Sequence, residues 1–199
     1  MRRPDPRPGQ IAPQRKAEPG FPHLIAVPSS QAKKDEKRIL VINGHPDPRP
    51  ERYCAALARA YLQGAHKSGW DARELTIGAI AHDDCGAALH SALDATCWAK
   101  ALVIVFPLWL DAPPAPLRDF FGLVAEGQMT PKPARLIVTM EMPAFAHRRK
   151  YCANGASSNS LSLPGIAGAL SFIGSVNAIN AMQRAEWLTR LEELGTRGE

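Results

Sequence analysis

The sequence predicts a doubly wound α/β fold, a parallel five-stranded sheet with helices on both faces. Two apolar runs carry this reading. Ile39–Ile42 and Ala101–Trp109 are short and rich in β-branched residues, as strands buried on both faces are. The first breaks into Asn43-Gly44-His45-Pro46-Asp47-Pro48 and then resumes as a helix-like pattern. The second ends in an apolar loop, not a polar turn. Strands alternating with helical segments through short links imply right-handed crossovers around one open sheet.

Each element follows from its local pattern. Arg38–Asn43 is strand one. Glu51–Ser68 places Ala55, Leu57, Ala58, Tyr61, Leu62 and Ala65 at helical spacing and stops at Gly69. Trp70–Thr76 is a weaker strand, and Ala87–Lys100 a second helix. Ala101–Phe106 is the central strand. Pro113, Pro114 and Pro116 open a third helix, because a first turn tolerates proline, and it runs to about Val124. Arg135–Met140 is the fourth strand. The Ser-, Asn- and Gly-rich stretch from Ala144 to Gly168 predicts neither helix nor strand. Ala169–Ala178 suits a last strand and Met182–Leu194 a closing amphipathic helix.

The 199 residues accommodate one domain, residues 37–199, preceded by a tail of residues 1–36. Seven prolines and many charges in that tail cannot bury enough surface to offset ordering, so it reads as disordered. Its seven basic and four acidic groups hold +3 of the net +5. The domain itself is nearly balanced, which argues against a nucleic-acid partner. Cys54, Cys85, Cys97 and Cys152 lack CxxC spacing, and the N-terminal Arg pair is followed by polar Pro-rich sequence, not an apolar export core. No apolar run approaches the ~18 residues of a membrane span. A cytoplasmic protein with reduced thiols is expected.

A buried strand, a tight Gly/Pro loop and a helix start gather backbone N–H groups around one point, which favours an anion such as phosphate. The ligand expected across the carboxyl edge is therefore nucleotide-like. Neither a Ser/His/Asp signature nor an HExxH motif is present. His82, Asp83, Asp84, Cys85 and His90 cluster in a polar connection without recognised ligand spacing, so no metal site is expected.

Three motifs in order, ILVINGHPDP, VIVFPLWL with its Pro-rich helix start, and LIVTMEMP, together with the closing AMQRAEWLTRLEELG, resemble the flavodoxin-fold NAD(P)H:quinone oxidoreductases. The similarity spans Arg38 to Leu194 and is strongest to the bacterial branch that includes ancillary proteins of potassium efflux systems. It implies FMN or FAD as cofactor, NADH or NADPH as electron donor and a small quinone-like acceptor. A two-fold homodimer and a membrane-transport protein partner are further implications. By this resemblance His45, with Arg52 and Tyr53, meets the flavin phosphate; the alternative for His45 is a turn residue before Pro46. Pro107, Leu108, Trp109 and Leu110 lie along the isoalloxazine ring, unless Trp109 is ordinary core. Thr139, Met140, Glu141 and Met142 meet its other edge. Glu141 stands where the family commonly has glycine, and Asp47 and Glu51 bring negative charge to the phosphate loop. The segments from Leu75 to Ala87 and from Phe121 to Ala134 are shorter than the family's. His147 and Tyr151 are candidates for the proton-donating groups near the acceptor. These departures support a second reading, a weakly catalytic or non-catalytic regulatory or interaction protein that keeps the fold.

Overall fold

The computed structural model describes residues 37–80, 86–109, 112–127, 130, 132–146, 163–164 and 166–199. Among the described residues there are five strands: β1 (Arg38–Asn43), β2 (Asp71–Thr76), β3 (Ala101–Leu108), β4 (Pro133–Met140) and β5 (Ala167–Ile173). Between and after them come α1 (Tyr53–Lys67), a single turn α2 (Ile77–Ile80), α3 (Ala87–Trp98), α4 (Ala115–Glu126) and α5 (Ala181–Arg197). The sheet order is β2-β1-β3-β4-β5 and every neighbouring pair is parallel. The expected fold class is the one observed.

Period-two alternation sorts the sheet's side chains. Leu40, Ile42, Ile104, Phe106 and Val138 pack against α2, α3 and α4 on one face. Ile39, Val41, Val103, Val105 and Ile137 pack against α1 and α5 on the other. A one-residue slip of β1 or β3 would exchange the two cores, which pins the register. On the second face α1 and α5 approach closely at two glycines. A Cβ on Gly195 would lie 2.9 Å from Ala65 N, and one on Gly64 would lie 2.8 Å from the Glu192 carbonyl carbon. Among the described residues no helix is long and apolar enough to cross a membrane.

The strand ends differ from the sequence expectation in two places. Pro107 and Leu108 do not leave as a loop; they extend β3, paired in register with Thr139 and Met140 of β4. On the other side β1 has already ended opposite Val105, so proline's missing N–H costs no ladder bond there. β5 stops at Ile173 instead of Ala178, because a tight turn at Gly174–Ser175 follows it. The one-turn α2 has no apolar periodicity long enough to be read from sequence. Helix α1 stops as its pattern predicts, with Gly69 at φ +73°.

Candidate functional site

In a doubly wound sheet ordered 2-1-3-4-5 the ligand crevice lies at the carboxyl edge where strand order reverses, here between β1 and β3. The structure has a cleft of about 190 Å³ at that place. The ends of β3 and β4 contribute Pro107, Leu108, Trp109, Thr139, Met140 and Glu141. The loop after β1 and the first turn of α1 contribute His45, Arg52, Tyr53 and Cys54. Val176 and Asn177 of the β5–α5 connection and Arg184 of the first turn of α5 close it. Nine of the sequence-predicted residues are thus brought together. Met142 is not among the lining residues; its side chain packs on the core and its carbonyl accepts from Ser175 N–H at 3.0 Å. Leu110, His147 and Tyr151 lie outside the described residues, as do 82–85 of the His/Asp cluster.

The loop after β1 is held by its own polar groups. Buried Asn43 accepts the His45 N–H at 3.2 Å through Oδ1. Asp47 N–H donates to His45 Nδ1 at 3.0 Å, which assigns the ring proton to Nε2. The same Nδ1 lies 3.1 Å from Asp47 O, a bond that would need the ring proton on Nδ1. Burial lowers the His45 pKa, and Arg52 and Arg49 lower it further against the partial offset of Asp47. The neutral tautomer follows, with Nε2–H a donor. Its ring stands edge-on to Trp109, centroids 5.7 Å apart and planes at 84°.

Asp47 collects both loop cations. Arg49 Nη2 lies 2.6 Å from Oδ2, and Arg52 binds the same oxygen through Nε, at 2.7 Å, and Nη2. Hydrogen bonds from Arg49 and Arg52 hold the Asp47 carboxyl well below the usual carboxylate range. The trio therefore carries one net positive charge beside α1. Arg52 is the N-cap of α1 and gives no side-chain cap, and the first turn holds no acidic residue. Its leading N–H groups are the orphan donors that an anion satisfies. At α5, by contrast, Asn180 and Gln183 form a reciprocal capping box.

Beneath the cleft, Cys54 Sγ lies 3.5 Å from buried Thr139 Oγ1, and burial pushes the thiol pKa up to about 11. The cysteine is therefore an uncharged floor, not a nucleophile. The Tyr53 hydroxyl is buried with no hydrogen-bond partner among the described residues. Arg184 lies over the Tyr53 ring, Cζ 4.9 Å from its centroid, and donates to Val176 O at 2.9 Å. Glu141 Oε1 accepts from Asn177 Nδ2 at 2.8 Å. Trp109 keeps 49% of its surface exposed, so it is a wall of the cleft and not ordinary core.

Cys54, Val176, Asn177 and Arg184 are the lining residues that the sequence reading missed. Arg184 did leave a signal. An arginine in the first turn of a helix opposes the dipole, so its placement there needs another reason. Val176 and Asn177 left none, since their position depends on where β5 ends.

Residues 37–181 match a family model described as flavodoxin-like fold. No curated protein sequence matches the chain. Among solved structures, an NAD(P)H:quinone oxidoreductase from Methanothermobacter marburgensis is similar at a TM-score of 0.64 and 13% identity, over 80% of this chain and 95% of that one. An FMN-dependent NADH-azoreductase from Bacillus anthracis in complex with FMN gives 0.53 and 12%, over 80% and 97%. An NADPH-quinone reductase from P. pentosaceus gives 0.54 and 12%, over 80% and 98%. At these identities the likeness is one of fold.

Proposed function

The chain belongs to the flavodoxin-like fold family, and we propose that it binds FMN across the carboxyl edge and works as an NAD(P)H-dependent oxidoreductase on a small quinone-like acceptor. The observation that carries this is the meeting of three elements in one cleft: the uncapped start of α1, the paired ends of β3 and β4, and the exposed face of Trp109. A flavin held there would supply the hydride-transfer chemistry between a nicotinamide and the acceptor, which is the cofactor's own. The residues present fit such a group. The α1 N–H groups, His45 Nε2–H and Arg184 suit its phosphate, and the orphaned Tyr53 hydroxyl supplies a further donor. Pro107, Leu108 and Trp109 offer a flat apolar wall for a heterocycle and exclude water from one face. Cys54 and Thr139 close the floor without adding charge.

The names borne by structures of this fold, quinone reductases and an FMN-dependent azoreductase, support FMN over FAD and a small-molecule acceptor. A two-fold homodimer in the cytoplasm completes the reading. The test is a titration of the purified chain with FMN, followed by quenching of flavin fluorescence. Saturable binding supports the proposal, and a chain that leaves FMN fluorescence unchanged rejects it. One observation favours the second reading, a weakly catalytic regulatory protein: Glu141 brings a carboxylate to the cleft where the ring's polar edge belongs. A chain that binds FMN but is not reduced by NADH or NADPH supports that reading.

A further inference from the structure

Glu141 is the one acidic side chain lining the cleft among the described residues. A carboxylate there repels an anionic ligand, more strongly the further it turns from the solvent-exposed rim into the cleft. Its direction is fixed, however, by the 2.8 Å bond from Asn177 Nδ2 to Oε1.

The backbone that carries Asn177 is over-determined. Ser175 N–H donates to Met142 O and Val176 N–H to Met140 O, both at 3.0 Å, which ties the turn to the two residues flanking Glu141. Gly174 has no room for a side chain, since a Cβ would lie 2.8 Å from Met142 O and 2.9 Å from the Pro143 carbonyl carbon. Ser175 has φ +54°, and among the described residues it is the one non-glycine in the left-handed region. Its carbonyl accepts from both Ala178 N–H at 2.8 Å and Ile179 N–H at 3.1 Å. Such strain persists only where the surroundings impose it, and it clusters at functional sites. The same turn presents Val176 O to Arg184, so it engages one anion and one cation of the cleft.

We propose that Asn177 is a positioning residue that pins the Glu141 carboxylate to the rim, keeping its charge off the bound anionic cofactor and off Arg184. The inference rests on the proposed function and deepens it. Without the Asn177 donor the carboxylate gains the freedom to turn inward. There it either repels the cofactor or pairs with Arg184 and removes a cation from it.

The test is a double-mutant cycle on the full chain, read as FMN dissociation constant and flavin midpoint potential, with a thermal melt of each variant. Asn177→Ala weakens FMN binding about tenfold, which is about 1.4 kcal/mol, and lowers the midpoint potential. In a Glu141→Gln background, where no charge remains to be pinned, Asn177→Ala changes the dissociation constant by less than about twofold. Asn177→Ser is too short to reach Glu141 and repeats the result if the alanine variant melts early. Equal losses in both backgrounds overturn the inference, because Asn177 then acts without Glu141. An unchanged dissociation constant and potential in Asn177→Ala overturn it too. A parent chain that binds no FMN instead rejects the proposed function beneath it.

Discussion

Gly78 lies outside the cleft, yet its substitution should reach the cofactor. A Cβ on Gly78 would sit 2.7 Å from the Pro46 carbonyl carbon and 2.9 Å from His45 O, with Pro46 O closer still. Real Cβ atoms essentially never come within 3.0 Å of such atoms, and here all of them are backbone. In Gly78→Ala the loop after β1 must retreat by roughly 0.5–1 Å, an overpacking shift that costs about 1–3 kcal/mol. For a chain of this size each kcal/mol lowers the melting temperature by about 2–4 °C, so a fall of roughly 2–12 °C is expected. The same retreat carries His45 and the start of α1 away from the phosphate. Loss of one hydrogen bond to a charged group, about 1.5 kcal/mol, weakens FMN binding about tenfold. Thermal melts and FMN fluorescence quenching measure both effects. Gly122→Ala is the control, since a Cβ there meets nothing within 4 Å and alanine favours the middle of α4. Parent-like stability and affinity in Gly78→Ala would refute the account of how α2 seats the loop.

Three other outcomes follow from the same geometry. His45→Ala should weaken FMN binding by about 1–2 kcal/mol through loss of the Nε2–H donor, and an unchanged affinity would leave His45 as a residue that only shapes the turn. Glu141→Gly should raise the flavin midpoint potential modestly in the parent, where Asn177 holds the carboxylate at the rim, and by more in an Asn177→Ala background. Two charges about 6 Å apart at an effective dielectric near 20 interact by roughly 3 kcal/mol, of which solvent at the exposed rim leaves a fraction. An unmoved potential in that variant would place Glu141 outside the ring's electrostatic reach. Proteolytic removal of residues 1–36 should shift the melting temperature by less than about 2 °C, and a larger fall would show the tail packed on the domain.

The sheet was legible because its strands are buried on both faces. Ile39–Ile42 and Ala101–Phe106 have no polar residue to obscure them, and Pro-rich or Gly-rich sequence marks where the helices begin and end. The cleft was legible where its residues follow directly on those strands, as His45, Trp109 and Thr139 do. Arg184, Val176 and Asn177 come from the far side, and their place depends on the Gly174–Ser175 turn that ends β5 early. A positive φ at serine has no reliable sequence mark. The pairing of Arg52 with Asp47 was equally hidden. The sequence shows Asp47 as a charge opposed to phosphate, whereas in the structure it organises two arginines, so the trio is net positive and its negative charge is already paired.

The central claim is that this cleft holds a flavin and uses it for electron transfer. The direct measurement is an anaerobic absorption spectrum of the FMN-loaded chain before and after NADPH or NADH, and again after a soluble benzoquinone. The account predicts that the oxidised-flavin band bleaches with the nicotinamide and returns with the quinone. A band that neither nucleotide bleaches, on a chain with FMN firmly bound, would contradict it.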